Sequence, residues 1–287
     1  KPGFSLLFDH VSPDQHMVMH EVHSHYAALR AAGIIGEVDD AGLEMWLPPV
    51  AEEEAARLWA VHFAPTDKVI ALNIGASWRT KRWEDSYFAE VADTYLARGY
   101  HVAVMGGPTD VEMVAACRAQ MREQEHPHLH IFTGQVSLGV LAGLLRRCIL
   151  FITTDSGPMH VGVAMNVPVL CMFGASPIPG FYPYDERSIS VRAPVPCHPC
   201  RLHECPLAEA EYMKCMKQMP PTLILKYADQ MLAENGERPA CELVRPTDFE
   251  TRVAEQANGS FALAPRGAAG RVVRPVLPAG LKAHGFD

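Results

Sequence analysis

The densest run of chemically capable side chains in this sequence is Thr154-Asp155-Ser156-Gly157-Pro158-Met159-His160. It follows Cys148 to Thr153, which reads as a buried strand, and precedes Pro168 to Phe173, which reads as the next one. One short helix fits between them. Pro158 suits the first turn of that helix, where a missing N–H costs nothing. Asp155 and Ser156 put short side-chain oxygens just ahead of it, and Gly157 lets another backbone approach closely. A strand entering a helix through such a turn leaves unpaired N–H groups at the positive end of the helix dipole, which suits a phosphate. His160 lies in the first helical turn, where that dipole favours a neutral ring able to donate to a phosphate or sugar oxygen. A capping histidine with no ligand fits the same pattern.

Three further loops of glycine, hydroxyl and charged residues follow other expected strands. Val69 to Ile74 ends in Gly75-Ala76-Ser77-Trp78-Arg79-Thr80-Lys81-Arg82-Trp83. There the Lys81 ammonium, with hydroxyls at Ser77 and Thr80, has the means to hold a diphosphate; an ordinary solvated Lys-Arg pair is the alternative. Trp83 reads as a packing anchor for the following helix. Val102 to Met105 ends in Gly106-Gly107-Pro108-Thr109-Asp110, and Pro168 to Phe173 in Gly174-Ala175-Ser176-Pro177. Asp110 or Glu112 could accept ribose hydroxyls, but acidic residues in a first helical turn are also good caps, and that simpler reading is preferred.

Two other clusters invite metal chemistry. Cys197-x2-Cys200-x4-Cys205-x9-Cys215 places four thiols at spacings able to hold one tetrahedral zinc or iron in a structural site; two local disulfides or reduced packing cysteines are the alternatives. His16-x3-His20-x2-His23 recurs at helical spacing, and a partly exposed polar helix face is the preferred reading.

The elements that must position these residues alternate. Ser86 to Arg98 is an amphipathic helix with Phe88, Val91, Tyr95 and Leu96 on one face and Gly99 as its stop. Asp110 to Glu123 reads as helix and Leu129 to Phe132 as strand. Ser137 is an N-cap for the helix bearing Leu138, Leu141, Leu144 and Leu145. Short strands separated by helices imply parallel βαβ units, hence an α/β, Rossmann-like, doubly wound sheet over residues 67–236 whose ligands bind beyond the carboxyl ends of the strands. Residues 1–66 carry helices at Met17 to Ala32 and Glu52 to Phe63 and a weak strand before Pro48-Pro49, too little for a sheet of their own. They must pack on another unit. Beyond Gly236 the chain becomes rich in Gly and Pro, and residues 237–287 read as an extension, extended or disordered from Arg266 onward.

Composition excludes several classes. With 48% hydrophobic residues, 20% charged residues and a net charge of −8, the chain is globular in type and carries no basic stripe for nucleic acid. No apolar run approaches the roughly 20 residues of a membrane span. The clustering of half of the 8 cysteines is compatible with a reducing cytoplasm. No Gly-x-Gly-x-x-Gly follows the first strand, which argues against a nicotinamide oxidoreductase.

Taken together, Thr154 to His160 with Asn166-Val167-Pro168 and Phe173-Gly174, Gly75-Ala76-Ser77 leading to Lys81-Arg82-Trp83, and the cysteine segment ending at Pro220 resemble glycosyltransferase family 9, the ADP-heptose:lipopolysaccharide heptosyltransferases. The resemblance covers Lys68 to Asn235, and Met17 to Gly33 is similar to the helix that closes the family's N-terminal domain. It implies the GT-B architecture of two Rossmann-like domains, with the C-terminal donor domain complete here and residues 1–66 the end of a largely missing acceptor domain. It implies that Ser77 and Lys81 hold the diphosphate and that Asp155, Ser156, Gly157 and His160 line the donor. Gly107, Asp110 and Glu112 then lie near the nucleoside and Val136 near the base. The expected activity is inverting transfer of heptose from an ADP-linked donor to a lipopolysaccharide-core or related acceptor, at the cytoplasmic face of the bacterial inner membrane. No cofactor is required if Lys81 and the helix dipole carry the charge, and some relatives hold iron at four cysteines. The family's catalytic aspartate has no counterpart before Val69, so the base is expected in the missing half. A nucleotide-sugar-binding module without transfer, and a protein-directed (autotransporter-type) heptosyltransferase, are the alternatives.

Overall fold

Runs of three to five β-branched and aliphatic residues build the core of the molecule. In a computed structural model, which describes residues 19–36, 42–235, 252–255 and 261–263, these runs form strands β1 (Val69–Asn73), β2 (His101–Met105), β3 (Leu129–Ile131), β4 (Leu150–Thr154), β5 (Val169–Phe173) and β6 (Ile189–Arg192). Strands β7 (Arg252–Glu255) and β8 (Phe261–Leu263) complete one sheet of order β3-β2-β1-β4-β5-β6-β7-β8. All neighbours pair in parallel except β8, which is antiparallel to β7. Because side chains alternate along a strand, Ile70, Leu72, Val102, Val104, Leu150 and Ile152 face one core, while Val69, Ala71, Ala103, Met105, Phe151 and Val169 face the other.

Helices cover both faces. Their order is α1 (Glu21–Ala31), α2 (Pro49–His62), α3 (Asp85–Ala97), α4 (Val111–Arg118), α5 (Leu138–Leu145), α6 (Gly157–Ala164), α7 (Ile178–Phe181), α8 (Lys214–Lys217) and α9 (Pro221–Asn235). α3, α4 and α9 lie over the first core; α2, α5 and α6 lie over the second. The predicted face of α3, with Phe88, Val91, Tyr95 and Leu96, is buried, and Gly99 at φ +84° supplies the left-handed stop. Ser137 accepts from the Val140 N–H at 3.3 Å, as its N-cap position predicts. α4 stops at Arg118, short of the expected Glu123, because the Arg122 and Glu123 N–H groups turn to the Asp93 carboxylate at 2.9 and 3.4 Å.

The N-terminal segment packs on this same sheet unit. A Cβ at Gly139 or Gly143 of α5 would lie 3.0 or 2.6 Å from the Cβ of Ala51 or Ala55, so these small residues let α2 and α5 approach closely. Glu52 ties the pair to Arg146 and Arg147. Residues 42–48 form no strand, contrary to the sequence reading. Two more differences concern the far end of the sheet. β6 was not legible as a strand, and the extension beyond residue 236 contributes β7 and β8 to the sheet. The tail expected from Arg266 lies outside the described residues. No helix among those described is long and apolar enough to cross a membrane.

The histidines of α1 do not form a polar face. His20 and His23 are 2% and 6% exposed, and His16 lies outside the described residues. His20 caps α1 by accepting from Val22 N–H at Nδ1 (3.2 Å) while its Nε2 lies 3.0 Å from the Tyr182 carbonyl. That pairing requires a neutral ring protonated on Nε2. His23 Nε2 lies 3.0 Å from the Tyr184 hydroxyl. At the amino-terminal edge of the sheet a second group forms. His101 stacks on His128 with ring centres 3.9 Å apart, and its Nδ1 lies 3.1 Å from His130 Nε2.

Burial, foremost, pushes His20 down to about 3 and His130 to about 4, from an ordinary value of 6.5. As pH falls below 6.5 the unfolded chain takes up protons that these folded rings refuse, so stability is full near neutrality and falls toward pH 4. At pH 5 the buried His20 alone accounts for a loss of about 2 kcal/mol. Urea unfolding at pH 7 and pH 5 checks this: the midpoint should fall, and a smaller fall is expected in His20→Asn, whose short amide can still cap.

Candidate functional site

Strands β1 and β4 are neighbours, yet the chain leaves β1 toward β2 and leaves β4 toward β5. Their loops therefore part at the carboxyl edge and open a crevice, the ligand site of open α/β sheets. The crevice is a cleft of about 590 Å³. Of the residues singled out in the sequence, Ser77, Lys81, Asp110, Asp155, Ser156, Gly157 and His160 all line it.

The Lys81 Nζ lies 2.8 Å from Asp155 Oδ2 across the crevice, with side chains only 16% and 4% exposed. The ammonium also sits 4.5 Å from the centre of the Trp78 ring and 5.8 Å from that of Phe181. Asn73, the last residue of β1 and wholly buried, ties the two loops together. Its amide donates to the Gly75 carbonyl at 2.9 Å and lies 3.4 Å from the Thr153 and Ser156 hydroxyls. Ser156 ends the turn as the N-cap of α6 but makes no side-chain cap bond. Its hydroxyl instead donates to the Thr154 carbonyl at 3.2 Å. A Cβ built on Gly157 would meet nothing within 4 Å. Gly157 thus opens α6 to the cleft; it does not admit another stretch of this backbone, as the sequence suggested. His160 stands one turn in. Burial lowers its pKa, Lys81 lowers it further, and Asp155 opposes both, so the ring is neutral at pH 7.

The opposite wall is built around Asp110. Its carboxylate accepts from the Gly107 N–H at 2.8 Å, and a Cβ on Gly75 would lie 2.1 Å from its Oδ1. Asp110 is thus both a cap and a wall of the cleft. Gly107 reaches the cleft only through that bond. Glu112 is exposed on α4, and Val136 is half-buried against the core; neither lines the cleft. Arg82, Met113 and Phe181 line it without having been singled out. Arg82 had a signal, as a second cation beside Lys81, and its Nε donates to the Ala76 carbonyl at 2.8 Å. Phe181 had none, because it arrives from α7, far away in sequence.

The four cysteines of the metal expectation lie in the segment between β6 and α9. All four thiols are free, with Cys197 exposed and the others half-buried. Among the described residues no three His, Cys, Asp or Glu side chains converge as a metal-ligand set. Cys205 Sγ takes a hydrogen bond from the Met213 N–H at 3.4 Å, and burial, with lesser effects of Cys197 and Cys200, pushes the Cys215 thiol up to about 11.

A doubly wound sheet with a cleft of charged and hydroxyl side chains at its switch point defines an α/β protein with the ligand crevice of open sheets. The family follows from comparison with known proteins. The model of Glycosyltransferase family 9 (heptosyltransferase) matches residues 3–211, and the chain belongs to that family. It is 29% identical over 167 residues to lipooligosaccharide heptosyltransferase 2 of Campylobacter jejuni, covering 58% of this chain and 51% of that protein. It is 25% identical over 154 residues to lipopolysaccharide heptosyltransferase 2 of Escherichia coli, covering 54% and 43%. The chain spans about half the length of these relatives. Among solved structures, a glycosyl transferase family 9 protein of Veillonella parvula superimposes with a TM-score of 0.61 at 30% identity, covering 75% of this chain and 60% of that one. The E. coli ADP-heptose lps heptosyltransferase II shares the fold with a TM-score of 0.60 at 19% identity, covering 79% and 66%.

Two glycines of the site differ in what they permit. At Gly174, after β5, a Cβ would lie 2.2 Å from the Thr80 carbonyl oxygen and 2.8 Å from Met216 Sδ. Backbone cannot yield cheaply, so Gly174→Ala should cost about 1–3 kcal/mol and visibly lower the melting temperature. Gly157→Ala, pointing into open space, should change stability by no more than about 0.5 kcal/mol. Thermal unfolding of the two variants side by side checks the contrast.

Proposed function

We propose that this chain is the donor half of a heptosyltransferase, binding an ADP-linked heptose and presenting it to a lipopolysaccharide or lipooligosaccharide core acceptor. The observation that carries this reading is the meeting of Lys81, Ser77 and the open first turn of α6 at the switch point. A diphosphate there would face an ammonium, hydroxyls and a helix N-terminus together. The relatives' names supply the heptose and the lipooligosaccharide or lipopolysaccharide acceptor, and the E. coli neighbour's name supplies the ADP linkage. We place the protein in the cytoplasm, at the inner face of the bacterial inner membrane.

In the transfer, an acceptor hydroxyl forms a new bond to the anomeric carbon as the bond from that carbon to the diphosphate oxygen breaks. The acceptor proton passes to a base, which we assign to the acceptor half of the whole enzyme and not to this chain. The negative charge growing on the departing ADP is met by Lys81 and the α6 N–H groups, held in place beforehand. Neutral His160 can donate to a phosphate or sugar oxygen without adding a second charge. No step is routed through the cysteines.

Thermal unfolding with ADP, UDP, GDP and NAD at matched concentrations tests the reading. ADP at about 100 times its dissociation constant should stabilise by about 2.7 kcal/mol, and Lys81→Ala should abolish the shift. A chain that responds to none of the four does not bind the donor as proposed. ADP binding without heptose transfer, even when the chain is joined to an acceptor half, would leave a nucleotide-sugar-binding module.

A further inference from the structure

Lys81 sits on a single 3-10 turn, Arg79–Lys81, with little internal bonding to fix it. What fixes it comes from a distant segment. Thr80, 2% exposed, donates its N–H to the His203 carbonyl at 3.3 Å. Its hydroxyl donates to the Leu202 carbonyl at 2.5 Å. Trp78, whose ring lies beneath the Lys81 ammonium, is stacked on the His203 ring with centres 3.9 Å apart and planes 24° from parallel. The segment is itself pinned beyond β5, where His198 Nδ1 lies 2.7 Å from the Gly174 carbonyl and the Arg201 N–H donates to Ala175 at 2.9 Å.

We propose that Thr80, Trp78 and His203 are positioning residues for Lys81: the strip from His198 to His203 clamps the lysine turn and so sets where the ammonium stands in the cleft. This rests on the donor reading for its consequence, though not for its geometry. A lysine on a free loop must surrender much of its rotamer freedom when it meets a phosphate. Here the aromatic floor and the two Thr80 bonds impose that order beforehand. The role is confined to the diphosphate end, so the nucleoside end should not feel its loss.

The test uses the full chain with 13C at lysine Cε and follows the Lys81 resonance, identified as the one missing from Lys81→Arg. In the native protein the Trp78 ring should shift this signal upfield of exposed lysines. Thr80→Val and His203→Ala should move it toward the exposed position, while Thr80→Ser and His203→Phe, which keep the bond and the stack, should hold it. Titration should show ADP affinity about tenfold weaker in the first pair, the loss expected of one or two hydrogen bonds, with adenosine affinity unchanged. His203 is exposed, so its variants carry the test if Thr80→Val fails to fold. A Lys81 signal unmoved in His203→Ala overturns the proposal whatever ADP does. A signal that moves in a protein that never binds ADP keeps the clamp and removes the donor reading.

Discussion

The site depends on one ion pair, Lys81 with Asp155, drawn across the gap between β1 and β4. Asp155 directly follows β4 and Lys81 stands in the loop that follows β1, and the two strands are adjacent only because the chain reverses direction of winding between them. The pair is poorly suited to stabilise the fold. A nearly buried carboxylate and ammonium give up hydration that their attraction only about repays. Its worth lies in placement. It holds an ammonium at the mouth of α6 together with a carboxylate that a competing anion can displace.

Around that pair the remaining structure acts as supports of different kinds. Asn73 spans the two loops from beneath, using one amide where the sheet ladder ends. Gly174 makes room for the Thr80 backbone, so the lysine turn can lie against the end of β5. α1 closes a further side, with His20 packed on Tyr182 and Tyr184 and its ring centre 6.3 Å from that of His160. A segment too poor in strands to fold as a sheet thus becomes a wall beside the cleft. Its neutral His20 ties this wall to near-neutral pH.

Much of this was legible in the sequence, for identifiable reasons. Continuous apolar runs such as Val69 to Leu72 and the capped helix after Ser137 carry their structure locally. So do the polar turns that follow β1, β2 and β4, whose residues meet in one cleft, while the turn after β5 stays outside its lining. What escaped was set by distant partners. α4 ends early because Asp93, on another helix, takes the next N–H groups. His20 and His23 look like a polar face until the tyrosines after α7 arrive to bury them. β6 is short and β7 lies beyond a change of composition, so neither has a pattern of its own to show. Glu112 lies outside the cleft lining because proximity to Asp110 in sequence does not determine which face of α4 meets the cleft.

The charges of the cleft complete the picture. Lys81 and Arg82 are matched by Asp110 and Asp155, so the four cancel and the lining offers no standing excess of positive charge. On the donor reading, a diphosphate is held less by attraction from afar than by exchange: it takes Lys81 from Asp155 and gains the α6 N–H groups. Asp155, 3% exposed, cannot turn to bulk water when it loses its partner. It must find a hydrogen-bond donor within the cleft, and a buried carboxylate left without one is costly. Sugar hydroxyls attached to a diphosphate supply such donors. On the donor reading, the same ion pair suits a ligand with phosphate at one point and hydroxyls at the next, which is the chemistry of a nucleotide sugar.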